Sequence, residues 1–93
     1  MGYQSIKNYT LSVGISRQKY KQFTQLLKSR RIAAGYSQVE LAKKLNKPQS
    51  YVSKIESGER KLNILELLDV LKALDIDTTD FVTEVSEQYN NDK

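Results

Sequence analysis

The segment from Ser37 to Gly58, SQVELAKKLNKPQSYVSKIESG, constrains the fold of this chain more than any other. Ser37 is followed three residues later by Glu40, the spacing of a capping box, in which each side chain accepts a hydrogen bond from a backbone amide of the first turn. Asn46 tolerates a left-handed turn, and Pro48, which lacks an amide and fixes φ, suits the first position of a new helix. The segment therefore predicts two short helices joined by a tight turn, the second ending at a C-cap at Gly58.

The outward face of the second helix is polar and carries no acid. Val52 and Ile55 are spaced to point inward, and a face meant only for water usually mixes Glu with Lys. Gln and Ser can read base edges in a major groove, Lys can reach guanine or phosphate, and Tyr can donate to a phosphate. The outward residues are Gln49, Ser50, Tyr51, Ser53 and Lys54.

Charge is unevenly distributed along the chain, whose formal net charge is +4. Residues 1–19 hold three basic residues and no acid, and residues 20–61 hold ten basic and three acidic residues. Residues 62–93 hold two basic and eight acidic residues. A basic middle beside an acidic final third indicates a nucleic-acid-binding face next to a solvated or protein-facing surface.

The composition argues against several other classes of protein. The chain has no Cys for disulfides or thiolate chemistry and no His, the commonest general base and metal ligand. It also lacks a nucleotide-binding Gly loop, so we expect no enzyme, metal or cofactor. No apolar run approaches the roughly 20 residues of a membrane span, and the N-terminus lacks an apolar signal core. We therefore expect one small cytoplasmic domain without a membrane segment.

Residues 1–19 are predicted to form an arm outside the helical domain. Apolar residues alternate there with polar or small ones, which is the period of a half-buried strand, but no second strand pattern follows. The arm is predicted to pair with its copy in a second subunit, to pack on the helices in extended form, or to be a flexible leader. The alternating apolar residues are Tyr9, Leu11, Val13 and Ile15.

A first helix is predicted from about Ser16 to Ala34, with an apolar stripe spaced by three and four residues. Arg31 lies on this stripe, and a buried arginine needs an acidic partner because an unpaired buried charge is strongly destabilising. The apolar members of the stripe are Tyr20, Phe23, Leu27 and Ala34.

Two more helices are predicted after the two-helix segment. The first begins at Asn63, which has Glu66 in the capping-box position, and the second begins near Thr78. The first of them carries a wide apolar stripe of core residues, namely Ile64, Leu67, Leu68, Leu71 and Leu74.

Over about residues 23–81, the chain resembles the lambda-repressor-like (Cro/Xre) helix-turn-helix family. The resemblance is specific because several polar positions agree as well as the apolar framework. Asn46 stands where the family usually has Gly, and Lys47 stands at a usually apolar position, although Asn can adopt the same backbone conformation. The matching residues are Arg31, Gly35, Ser37, Gln38, Leu41, Ala42, Leu45, Gln49, Ser50, Val52, Ser53, Ile55, Glu56 and Gly58.

The resemblance implies an all-α, compact five-helix DNA-binding domain over residues 20–89, with its motif at about 38–57. Residues 1–19 are then an N-terminal extension, with a possible short β-strand, and residues 90–93 a frayed tail. The resemblance further implies that Glu56 is the acidic partner of Arg31 and that the loop after the motif contacts the DNA backbone.

Double-stranded DNA is therefore the expected partner, with the second motif helix in the major groove. Gln49 is our first choice for a bidentate contact with adenine. The expected base contacts are Gln49, Ser50, Ser53 and Lys54. The expected backbone contacts are Ser37, Gln38, Lys47, Tyr51, Arg60 and Lys61.

One such domain reads few base pairs, and specific sites usually come from two copies whose recognition helices meet major grooves about 34 Å apart. We expect a homodimer on an inverted-repeat operator, or monomers that pair only on DNA, and a transcriptional repressor as the function. The alternative is an antitoxin-like or other protein-interaction module, whose acidic final third covers a protein partner. The possible dimer contacts are Leu11, Val13, Val85 and Tyr89.

Overall fold

The computed structural model of the chain describes the backbone of residues 2–91 and the side chains of residues 17–91. Within that part of the chain there are five helices and no strand, which confirms the all-α prediction. The helices are α1 (Gly2–Ala33), α2 (Gln38–Leu45), α3 (Gln49–Ser57), α4 (Ile64–Ala73) and α5 (Thr78–Asn91).

The prediction of a possible strand near the N-terminus is wrong, because residues 9–15 belong to α1. This helix of 32 residues begins at Gly2 instead of near Ser16 and crosses the predicted boundary between residues 19 and 20 without a break. A helix satisfies its own backbone groups, whereas a lone strand leaves them open. Extending a helix that is already held by the core needs no new nucleation. The side chains of Leu11 and Val13, expected at a dimer contact, lie outside the described residues.

The turn between α2 and α3 has the conformation that its residues predict. The Glu40 N–H donates to the Ser37 hydroxyl at 3.0 Å, and the Ser37 N–H donates to the Glu40 carboxylate at 2.8 Å. Asn46 ends α2 in the left-handed region, with φ at 61°. Pro48, predicted at the first position of the second helix, is instead the N-cap, and α3 begins at Gln49. Gly58 ends α3 with φ at 83°.

Buried side chains from all five helices form one hydrophobic core. Phe81 and Leu71 are fully buried, and Phe23 meets the Phe81 ring edge-on with 6.1 Å between the ring centroids. Burying each large apolar side chain contributes about 1.5–3 kcal/mol, so the core fixes α3 with its polar face outward. The core residues are Leu26, Leu27, Leu41, Ala42, Val52, Ile55, Leu67, Val70, Leu71, Leu74 and Phe81.

Three residues expected in the core are exposed instead. Ala34 lies just beyond the end of α1, whereas Ile64 and Leu68 are 64% and 37% exposed on α4. The apolar residues of α4 exceed what one helix face holds, and the face turned to the core carries Val70 and Leu71. Ile64 and Leu68, together with Leu65, therefore remain on the outside.

Candidate nucleic-acid interface

The polar face of α3 is turned to the outside while Val52 and Ile55 are buried beneath it. Gln49, Ser50 and Lys54 are exposed, and Ser53 is half-buried with its hydroxyl donating to the Ser50 carbonyl at 3.2 Å. The four residues predicted as base contacts thus share one outward surface.

The first turn of α3 has no side-chain cap, because Pro48 occupies the capping position. Uncapped amides and the positive end of the helix dipole favour an anion at such a helix start. Lys47 is exposed beside this turn, with its Nζ 5.2 Å from the centroid of the Tyr51 ring. Both residues, predicted as backbone contacts, therefore flank a position suited to a phosphate.

Arg31 and Glu56 form the ion pair expected from the sequence. Arg31 Nε lies 2.6 Å from Glu56 Oε2, and Arg31 Nη2 lies 3.1 Å from Glu56 Oε1. Arg31 Nη1 also donates to the Tyr36 carbonyl at 2.7 Å. The Arg31 and Glu56 side chains are only 9% and 6% exposed, so the pair joins α1 to α3 inside the domain.

A chain of hydrogen bonds connects this ion pair to the start of α3. Gln38 Nε2 donates to Glu56 Oε1 at 3.0 Å, and Gln49 Nε2 donates to Gln38 Oε1 at 3.3 Å. Gln38, predicted as a backbone contact, thus lies between the ion pair and Gln49. Sequence reasoning missed this arrangement, because Gln38 and Gln49 are on different helices and no local spacing relates them.

Ser37 and Arg60, both predicted as backbone contacts, each lie next to an acid of the chain. The backbone N–H of Ser37 and its hydroxyl hold the pKa of Glu40 below its usual value of 4.5. Arg60 Nη2 lies 2.6 Å from Glu66 Oε2, and its guanidinium lies 4.8 Å from the Tyr51 ring centroid. The hydrogen bond with Glu66 raises the pKa of Arg60, and the Glu66 carboxylate offsets part of the charge of this cation.

Lys61 and Tyr20 connect the loop after α3 to α1. Lys61 Nζ lies 4.1 Å from the Tyr20 ring centroid and donates to the Gly58 carbonyl at 3.3 Å. The Tyr20 hydroxyl accepts from the Leu62 N–H at 3.2 Å. Lys61 remains exposed, so it is held in position but stays accessible.

The two predicted dimer residues of α5 have different surroundings. Val85 is half-buried and packs against the chain's own core. Tyr89 is 59% exposed, and Lys19 of α1 donates to its carbonyl at 2.7 Å with Nζ 4.0 Å from its ring centroid. The larger exposed apolar surface is on α4, where Ile64 and Leu65 are 64% and 68% exposed.

Neither a metal centre nor a membrane span is found where the structure describes the chain. Among those residues, no group of three or more His, Cys, Asp or Glu side chains could hold a metal ion. No helix in the same region is long and apolar enough to cross a membrane.

Comparison with known proteins gives matches over most of the chain. A family model described as "Helix-turn-helix" matches residues 27–81, which is more than half of the chain. No curated protein matches the sequence significantly. An XRE-family like protein from Pseudomonas syringae pv. tomato str. DC3000 is 33% identical with a TM-score of 0.79, and the match covers 84% of this chain and 95% of that chain.

Two further solved structures are mutants of the restriction-modification controller protein C.Esp1396I. One is 28% identical with a TM-score of 0.69, covering 74% of this chain and 92% of that chain. The other, bound to its highest affinity operator site OM, is 25% identical with a TM-score of 0.68, covering 76% of this chain and 93% of that chain. The present chain is therefore similar to nearly the full length of these proteins.

Proposed function

The chain belongs to the Cro/Xre helix-turn-helix family of DNA-binding transcription regulators, and from that premise we propose that it is a repressor that binds an inverted-repeat operator as a homodimer. The observation that carries the proposal is the acid-free outward surface from Gln49 to Lys54, fixed from behind by Val52 and Ile55. The operator bound by the mutant controller protein supports the same use of the fold.

Gln49 is the principal base contact in this proposal, with Ser50, Ser53 and Lys54 beside it. Gln49 gives one N–H to Gln38, and its other N–H and its carbonyl oxygen have no partner among the described residues. An amide with one free donor and one free acceptor can make the bidentate contact that distinguishes adenine. The hydrogen bond to Gln38 orients this amide before DNA arrives, which lowers the entropy lost on binding.

The backbone contacts in this proposal lie on both sides of α3. Lys47 and the uncapped first turn flank its start, and Lys61 follows its end. Phosphates line both edges of a major groove, so contacts on both sides set the register of α3 on the duplex. Ser37 and Arg60 contribute less, because each lies beside an acid of the chain.

The homodimer is supported by the exposed apolar surface of α4. Ile64, Leu65 and Leu68 stand on one side of this helix, with 64%, 68% and 37% of their surface exposed. Contiguous apolar surface on a small domain favours association with another surface. We assign this contact to a second copy of the chain, in place of Val85, whose side chain packs against the chain's own core.

Selection of bound sequences from random duplex DNA, followed by a reporter assay on the enriched site, tests the proposal. We expect an inverted repeat whose half-sites lie about one helical turn, roughly 10 base pairs, or a multiple of it apart. Expression of the protein should lower transcription from a promoter that carries this repeat. Failure to enrich any sequence, or a rise in transcription, would contradict the proposal.

The dimer contact has a matched pair of variants. Leu65→Glu should give monomers and weaken binding to the complete inverted repeat far more than to one half-site. Ile32→Glu is the control, because Ile32 is similarly exposed, at 58%, but lies on α1. Equal effects of the two variants would rule out the α4 contact, and sedimentation without DNA measures the association directly.

The alternative, an antitoxin-like module that binds a protein partner, rests on the acidic final third of the chain. Asp80 and Glu87 of α5 are exposed, whereas Glu84 pairs with Arg30 of α1. Co-purification of a small basic protein that is displaced by salt would favour this reading. A partner of this kind is compatible with DNA binding, because α5 and the outward face of α3 are different surfaces.

A further inference from the structure

α1 carries two cations on the same face that contacts α3. Arg17 and Lys21 are one turn apart, and Thr24 and Arg31 follow on this face at helical spacing. Counted over the whole residue, Thr24 and Arg31 are 2% and 7% exposed. Arg31 also pairs with Glu56 of α3, so this face of α1 lies against the rest of the domain. Arg17 and Lys21 are exposed, so this face of α1 continues past the part of the domain that covers it.

An open groove of about 340 Å³ lies between this part of α1 and the loop that follows α3. Arg17 and Lys21 line one side of it, and Lys61 lines the other. Glu56 is the one acid among the described residues that line the groove, and its two oxygens already accept hydrogen bonds from Arg31 and Gln38. The charge that the groove presents to a ligand is therefore positive.

Nothing acidic on α1 compensates these cations, since the helix contains seven basic residues and no acid. Neither Arg17 nor Lys21 makes an ion pair or a side-chain hydrogen bond with the rest of the described chain. Clustered cations without internal partners repel one another, so a bound external anion would offset that repulsion. Among the described residues these two cations thus contribute no ion pair to the fold and are available to an external anion.

The two sides of the groove are held together before any ligand binds. Tyr20 of α1 accepts a hydrogen bond from the Leu62 N–H at 3.2 Å, and its ring lies 4.1 Å below Lys61 Nζ. Because α1 and the loop cannot separate without breaking these contacts, the contacts favour a groove that is formed before a ligand binds. A preformed site loses less entropy when it binds a ligand.

We propose that this groove binds the phosphate backbone of the same duplex that α3 reads, outside the base pairs read, through Arg17, Lys21 and Lys61. The proposal rests on the proposed function, because the groove continues the surface at the end of α3 instead of forming a separate face. A duplex offers closely and regularly spaced negative charges, which suits cations placed on two successive turns of α1 and on the adjacent loop.

Salt dependence of DNA binding tests the proposal on the full chain, with the selected duplex as probe. Each lost phosphate contact should reduce the slope of log affinity against log salt by about 0.9, which is about eightfold in affinity at 0.1 M salt if the contact contributes nothing at 1 M. We expect this change for each half-site that R17Q or K21Q occupies, on selected and unrelated duplexes alike. The matched control is K19Q, which removes the same charge two residues away on the side of α1 that contacts Tyr89.

Shortening the duplex provides a second measurement. Removing about half a helical turn, roughly 5 base pairs, from each end deletes phosphates outside the bases that are read. The shorter duplex should bind the unaltered protein about as weakly as the longer duplex binds the double variant R17Q/K21Q. The affinity of the double variant should be nearly the same for both duplexes. Thermal unfolding of each variant should be unchanged, because both side chains are exposed.

Each outcome has a distinct meaning. Equal loss for K19Q and K21Q would show a general effect of net charge and overturn the groove contact, as would unchanged slopes for R17Q and K21Q. Lower thermal stability with unchanged DNA binding would show that the cations stabilise the carboxyl end of α3 through its helix dipole. This result would also overturn the groove contact. If the unaltered protein binds no duplex, the proposed function itself fails, and the contact fails with it.

Discussion

Arg31→Met separates the contribution of the buried ion pair from that of the hydrophobic core. Met has nearly the length of the arginine stem and fills its space, but it removes the three hydrogen bonds that Arg31 donates. Glu56 then keeps one side-chain donor, the Gln38 amide, although its own side chain is only 6% exposed. The carboxylate is left in a poorly solvated position without a compensating charge.

The expected loss of stability is large for a domain of this size. Removing one partner of a buried pair costs about 3–5 kcal/mol, while the whole free energy of unfolding of a small domain is about 5–15 kcal/mol. A change of 1 kcal/mol shifts the melting temperature of a 60–100-residue domain by about 4–8 °C, so even 3 kcal/mol lowers it by about 12–24 °C. The double variant with Glu56→Leu should lose much less than the two single variants combined, since no unpaired charge remains.

Urea unfolding without DNA, followed by circular dichroism, gives these free energies if the slope with denaturant stays constant. Arg60→Met is the matched control: Arg60 also pairs with a glutamate, but with 42% of its side chain exposed, so water screens the interaction. Its loss of stability should be much smaller than that of Arg31→Met. A loss below about 1 kcal/mol for Arg31→Met, or strictly additive single and double variants, would refute a buried pair of this strength.

Gln49→Ala should lower affinity for the selected operator by about 1–3 kcal/mol and leave unrelated DNA nearly unaffected in a filter-binding assay, and equal losses would exclude base reading. Lys61→Ala should weaken binding to every duplex and reduce the salt slope by about one for each half-site. Backbone hydrogen bonds hold the pKa values of Glu40 and Glu66 below 4.5. The stability that these two ionised carboxylates contribute is therefore complete above that pH, and it is lost as the pH falls through their lower pKa values in the folded state. Replacing both with Gln should flatten the acid limb of a melting-temperature curve, and an unchanged curve would show that other groups govern it. Tyr20→Phe should cost about 1 kcal/mol by leaving an N–H of the loop after α3 without its acceptor, and no change in urea unfolding would show that water replaces it.

Features set by neighbours in the sequence were predictable. The capping box of Ser37 and Glu40 depends on a spacing of three residues, and Asn46 adopts the left-handed conformation that its own side chain permits. The Arg31–Glu56 pair spans 25 positions, so periodicity only shows that Arg31 needs a partner, and the family resemblance was required to name Glu56.

Features set by three-dimensional packing were missed. Alternation over residues 9–15 was too short a pattern to outweigh the extension of a helix already fixed by its later turns. The exposure of Ile64 and Leu65 depends on which face of α4 the other helices cover, and a stripe of apolar residues does not reveal this. The hydrogen bond between Gln38 and Gln49 joins two helices at a crossing that no linear spacing defines.

The Tyr51 ring links the two flanks of α3. It contacts Lys47, ahead of that helix, and Arg60, behind it, at 5.2 and 4.8 Å from the ring centroid. One aromatic side chain thus contacts both cations, and we expect it to limit how far they separate on duplexes of different groove width. We therefore expect the protein to discriminate among sequences by the shape and stiffness of the DNA between its base contacts, even at base pairs that it never touches.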